Sequence, residues 1–267
     1  MIGHPGAQAG QTTMENLIKL GRIFFAIPMV VFGIQYIARG SYAGGLPPVP
    51  PWAPGGAVGA YLVGAVLIAA GVGVAAKRQG RLSALVIGAL FLLCVIFLQM
   101  LHASDVLHDG VARTRAFEPL ALSGAAFALA AMLPIEGSGA AGSGNGDKLI
   151  LFGQLLFGIS MIIFGVQHFM YATFLVTLVM AWLPGHLFWI YFTGASMVAA
   201  GLAIATGIQG RLAGTMLGVM FLLWVLLLHA PRVFTQIHNQ DELTSLFVAL
   251  AFSGSSFIFA AAERAPK

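Results

Sequence analysis

Eight polar side chains recur within or beside long apolar runs, and they fall into two matching sets. Gln35 and Tyr36 close one run, and Gln167 and His168 close another. His102 and His229 end two later runs, and Glu118 and Glu242 stand near the start of the runs that follow. Polar groups at membrane depth are costly, so each calls for a reason. A histidine with a carboxylate neighbour binds and passes protons near neutral pH. His102 and His229 are therefore candidate proton acceptors, with Glu118 and Glu242 as their carboxylate partners. Gln35, Tyr36, Gln167 and His168 are candidates for holding the oxygens of a quinone head group or a phospholipid. A competing reading makes the histidines helix caps that bond the adjoining loops. A third sets His102 against His229 as a metal or haem pair. No His pair at helical spacing supports that third reading, so no metal is expected.

These residues sit on a repeat, and a repeat sets the architecture before any site is assigned. Residues 17–39 read LIKLGRIFFAIPMVVFGIQYIAR, and residues 149–172 read LILFGQLLFGISMIIFGVQHFMYA. Trp52, Pro54 and Gly55 match Trp182, Pro184 and Gly185. Tyr61, Gly64 and Gly71 match Tyr191, Gly194 and Gly201. Gly80-Arg81-Leu82 matches Gly210-Arg211-Leu212, and Ser123-Gly124 matches Ser253-Gly254. His102-Ala103 aligns with His229-Ala230 once a three-residue difference in length is allowed.

The solvent follows from composition. Hydrophobic residues make up 59% of the 267 and charged residues 8%, against about 25% charged in an average soluble domain. So few charges cannot cover a water-facing surface, and lipid must surround most of the chain. Eight segments are long enough to cross about 30 Å of hydrocarbon: 17–38, 58–76, 82–102, 116–134, 149–172, 185–206, 212–230 and 244–262. They are expected as helices, because backbone in lipid must satisfy its own hydrogen bonds. The expected fold is thus all-α and integral to the membrane, with two tandem four-helix bundles related by a pseudo-twofold axis. Residues 1–16 form a mobile tail, 17–134 the first repeat, 135–148 a Gly/Ser linker, 149–262 the second repeat and 263–267 a short tail. Glycines seven apart, Gly64 with Gly71 and Gly194 with Gly201, mark close helix approaches.

Basic residues set the orientation. Lys19, Arg22, Lys77, Arg78, Arg81, Lys148, Arg211, Arg264 and Lys267 share one expected face, against Arg39, Arg113, Arg115 and Arg232 on the other. The first face is expected in the cytoplasm, with both termini. Four helices per half turn both halves the same way up, so the axis runs along the membrane normal. The net charge of +4 is scattered and points to no nucleic acid. A single cysteine, Cys94, excludes an intrachain disulfide and a Cys-x-x-Cys pair. Phosphate-binding glycine motifs, a serine nucleophile elbow and a His-Glu-x-x-His stretch are missing from the sequence.

Several of these residues together resemble the DoxX-like family of small bacterial membrane proteins. They are Gly21-Arg22 with Phe32-Gly33, Trp182-Leu183-Pro184, Tyr191 with Gly194, Gly210-Arg211-Leu212-Ala213, Phe221-Leu222-Leu223 leading to His229-Ala230, and residues 249–254 (ALAFSG). The resemblance implies a four-helix bundle, here duplicated, in the bacterial inner membrane. Some members of that family are linked to thiosulfate:quinone oxidoreduction, and others to redox complexes with soluble partners. What it implies here is an accessory or anchoring subunit of an electron-transfer complex, in contact with lipid and with other subunits, shaping a quinone or lipid site at the outward face. The alternatives are a quinone-reactive oxidoreductase and, lower in order, a small-molecule transporter. No covalently bound cofactor is expected.

Overall fold

The computed structural model describes residues 5–42, 45–49, 55–99, 103–134, 146–236 and 239–262. The described residues contain helices and no strand. The long helices are α1 (Pro5–Arg39), α2 (Gly56–Ala76), α3 (Gly80–Cys94), α5 (Gly110–Met132), α6 (Gly146–Met170), α8 (His186–Thr206), α9 (Gly210–Trp224) and α11 (Gln240–Ala262). Short helices α4 (Ala103–His108), α7 (Ala172–Val176) and α10 (Ala230–Thr235) lie between them. Single π-helical turns, Val95–Gln99 and Val225–His229, extend α3 and α9.

Seven described helices are long and apolar enough to cross a membrane. The long helix outside that set is α5, whose first half carries Arg113, Arg115 and Glu118. Its second half is almost wholly buried between neighbours. Protein surrounds it there in place of lipid, so its composition is not tuned to lipid as that of the outer helices is.

Contacts between neighbouring long helices run α1–α2–α3–α5–α6–α8–α9–α11 and back to α1. The first helix of each half therefore packs against the last helix of the other half, α1 on α11 and α6 on α5. Helices α5 and α11 also touch across the middle. Residues far apart in sequence thus interlock the halves along two seams.

Glycine makes both seams. A Cβ at Gly21 would lie 2.8 Å from the Gly254 carbonyl oxygen, and one at Gly124 would lie 2.6 Å from that of Gly153. Within each half, Gly64 meets Gly33 and Gly201 meets Gly158 in the same manner. Lipid supplies no hydrophobic force between helices, so close packing must hold them together. Buried serines add to it. Ser123 donates to the Gly88 carbonyl and Ser253 to the Gly218 carbonyl, both at 2.8 Å.

The turns from α2 to α3 and from α8 to α9 are short and left-handed, at Lys77 and Gln79 and at Gly207 and Gln209. Lys77, Arg78, Arg81 and Arg211 cluster around them, so this is the basic end of the ring. The α1–α2, α3–α5, α6–α8 and α9–α11 connections lie at the opposite, loop end.

Two local outcomes differ from the sequence reading, and a third concerns Arg22. Helix α1 starts at Pro5, so residues 5–16, expected as a tail, are helical. Proline suits a first helical turn, and alanine and glutamine favour its continuation. Of the linker expected over 135–148, residues 135–145 lie outside the described residues, and Gly146 to Lys148 open α6. Arg22 folds inward at 6% exposure, and its Nε is buried without a hydrogen-bond partner among the described residues.

Candidate functional site

A cavity of about 580 Å³ opens at the loop end of the second half. Helix periodicity builds its wall. On α6, Phe164, Gln167 and His168 share one face. On α11, Ser245, Ala249 and Phe252 do the same, and on α5 Val111, Arg115 and Glu118. Asp109 fixes where α5 begins, its side chain accepting from the Val111 amide at 2.9 Å.

The fourth wall depends on the π turn. In unbroken α-helix the residue after Trp224 on the same face would be Leu228, four positions on. The wider π turn gives that place to His229, five positions on. Trp224 and His229 consequently both line the cavity. Trp224 stacks on the His168 ring at 5.9 Å and 26°.

The glutamines that close the two repeated runs form a matched pair of clasps between the halves. Gln35 donates to Thr244 Oγ1 at 3.1 Å, and Gln167 donates to Thr114 Oγ1 at 3.3 Å. Each therefore ties one half's first helix to the other half's last. In both, Oε1 is buried and finds no partner among the described residues. Gln167 also borders the cavity; Gln35 is not among the residues that line it.

The matching region of the first half is filled. Residues 45–49 of the α1–α2 connection turn inward, with Leu46 only 2% exposed. The Tyr36 hydroxyl donates to the Pro47 carbonyl. Gln99 Nε2 donates to the Pro48 carbonyl at 2.9 Å, and the Cys94 thiol lies 3.9 Å from the same oxygen. Tyr36 and His168 occupy corresponding places, as do Cys94 and Trp224, and Gln99 and His229. The counterpart of His229 is thus Gln99, three residues before His102, because the two π turns match residue for residue. Sequence alignment alone pairs His229 with His102, which lies outside the described residues. In the second half the corresponding connection forms α7 and turns, and Phe174 and Leu175 of α7 line the cavity and leave it open. Trp182, there, is 66% exposed, and Trp52 lies outside the described residues.

Of the candidates read from sequence, Glu118, Gln167, His168 and His229 meet in one cavity. Gln35 and Tyr36 serve the interface and the plug instead. Glu242 lies 3.9 Å from Arg232 and is not among the residues that line the cavity. Trp224, Tyr171, Arg115, Thr114 and Ser245 line the cavity too and were not singled out from sequence. Thr114 and Thr244 stand the same distance before Ser123 and Ser253, a spacing that the repeat carries. The π turns leave no such trace. Among the described residues, no group of three His, Cys, Asp or Glu side chains is placed to hold a metal ion.

The cavity has the size and make-up of a small-molecule site: apolar walls with a few convergent polar groups. Aromatic rings from α6, α9 and α11 suit a flat apolar body, and the polar atoms suit its oxygens. Comparison of the chain with family models, with curated proteins and with solved structures gives no match.

Proposed function

We propose that this chain is an eight-helix inner-membrane protein built from two related halves, whose second half holds a quinone-class molecule at the outward face. In this reading α5 is the eighth span, and the basic end, with both termini, faces the cytoplasm. The excess of Lys77, Arg78, Arg81 and Arg211 at that end supports the orientation. One observation carries the binding function: an open aromatic cavity bordered by Gln167 and His229, whose buried Oε1 and Nδ1 find no hydrogen-bond partner among the described residues. An unpaired buried polar atom costs about 1–3 kcal/mol, which a ligand's polar atoms would offset. The wider role, as a subunit of an electron-transfer assembly, rests on the likeness to DoxX-like proteins.

Ala249 offers the direct test. It lines the cavity from α11, with 4% exposure. Phenylalanine there would fill ligand space. Ala249→Phe is expected to weaken quinone binding at least a hundredfold while the protein stays monodisperse in detergent. Calorimetric titration of both proteins with a short-chain benzoquinone and its hydroquinone checks this. Unchanged binding of both would refute the site.

A second reading, quinone-reactive enzyme, is favoured by the meeting of Glu118 and His229 in one cavity. There a proton acceptor stands beside the ligand. It expects Glu118→Gln to slow quinone-dependent turnover at least tenfold with binding kept. Equal turnover in native membranes carrying either protein would rule it out.

A further inference from the structure

Hydrogen-bond direction at the cavity wall says which form of ligand the site takes. Three aliphatic hydroxyl side chains line it, and all three spend their protons on their own helices. Thr114 donates to the Gly110 carbonyl at 3.0 Å, Thr244 to that of Gln240 at 2.9 Å and Ser245 to that of Asp241 at 2.8 Å. A hydroxyl has one proton, so each offers its surroundings lone pairs alone.

The larger polar groups point the same way. His168 Nδ1 lies 2.8 Å from the Phe164 carbonyl oxygen, which can only accept. Nδ1 therefore carries the proton, and the neutral ring keeps Nε2 as an acceptor. Gln167 directs its amide nitrogen to the Gly110 carbonyl at 3.0 Å and to Thr114. What remains is Oε1, an acceptor. The donors among the lining side chains are Trp224, Tyr171, His229 and the exposed Arg115.

The first half shows the opposite polarity with its site filled. There Tyr36 and Gln99 donate, and the Pro47 and Pro48 carbonyls accept. The chain closes a donor site with its own acceptors. At the Tyr36 position the second half substitutes His168, whose remaining nitrogen accepts.

We propose that the second-half cavity takes its ligand in the donor-bearing form, an aromatic diol, in preference to the corresponding dione. This rests on the quinone-class reading and names the redox form bound. A diol supplies two O–H donors to an acceptor-rich wall. A dione supplies acceptors only, so it gives no donor to Gln167 Oε1, His168 Nε2 or Ser245 Oγ, and each unmade hydrogen bond weakens binding by about tenfold.

Anaerobic calorimetric titration of the detergent-purified protein tests it, with an alkyl-1,4-benzohydroquinone, the matching benzoquinone and the 1,4-dimethyl ether of the diol. The diol is expected to bind at least tenfold tighter than either of the others. His168→Tyr installs the donor found in the first half, and is expected to shift the preference about tenfold toward the dione. Ser245→Ala, a smaller change, is expected to weaken the diol and spare the dione. Equal or tighter binding of dione or ether by the unaltered protein would overturn the inference and leave the binding function standing. So would an unchanged preference in both variants. Failure of all three compounds to bind would overturn the binding function itself.

Discussion

Gly254→Leu is expected to abolish the folded monomer. A Cβ at Gly254 would lie 2.7 Å from the Gly21 carbonyl oxygen and 2.8 Å from the carbonyl carbon of Phe24. Both atoms are backbone, so no side chain can rotate away. Helices α1 and α11 must separate, and they form one of the two seams along which the first helix of one half packs on the last of the other. Overpacking by a few atoms costs about 1–3 kcal/mol in a well-packed core, and leucine adds more than that at a backbone contact. Lipid offers no compensating hydrophobic force to pull the helices back. Gly124→Leu should do the same at the related seam, where Gly153 stands opposite. Gly146→Ala is the control, because its nearest neighbour would be 3.9 Å away. Size-exclusion profiles and thermal melts in one mild detergent check all three. A monodisperse Gly254→Leu protein with a melting temperature near that of the unaltered chain would mean that the seam is not needed.

The seams show what the sequence could and could not reveal. The apolar runs that end at Gln35 and Gln167 were legible as repeated helices, since length and composition alone separate lipid from water. The small residues Gly64, Gly71, Gly194 and Gly201 were legible as close approaches for the same reason. Which helices approach one another was not. Gly21 meets Gly254, and Gly124 meets Gly153, and nothing local in either stretch names its partner. The repeat singled out Gln35 and Gln167, but its purpose was hidden until Thr244 and Thr114 stood opposite them. His229 and Glu118 were marked as candidates by their cost in lipid, and they do share a cavity. Trp224 was hidden because an aromatic residue in an apolar helix carries no mark. The pairing of His229 with Gln99 was hidden because a π turn changes helical register without any fixed residue type. The inequality of the two sites came from residues 45–49, which read as loop and lie in the core.

That inserted segment carries the second large effect. Leu46→Ala is expected to destabilise the protein by about 2–4 kcal/mol, although Leu46 belongs to no helix. Its side chain is 2% exposed and packs in the same core cluster as Phe91 and Tyr36. Truncation would leave a void, because the surrounding side chains belong to helices fixed by the ring. The neighbours constrain the segment further. Gly45 has no room for a Cβ against the Tyr36 ring, and the Tyr36 and Gln99 donors hold the Pro47 and Pro48 carbonyls. Thermal and denaturant unfolding in detergent measure the loss. Comparison with Leu178→Ala, in the corresponding connection of the second half, makes the measurement specific: that change should cost under about 1 kcal/mol, since Leu178 is only partly buried and is bonded through its backbone carbonyl to Arg232. Ligand affinity at the second-half cavity should stay within about twofold in the Leu46 variant, because none of the residues that line it touch the plug's hydrogen bonds. Equal losses from Leu46→Ala and Leu178→Ala would show that the first half is not filled from within, and the contrast between a self-occupied site and an open one would fall with it.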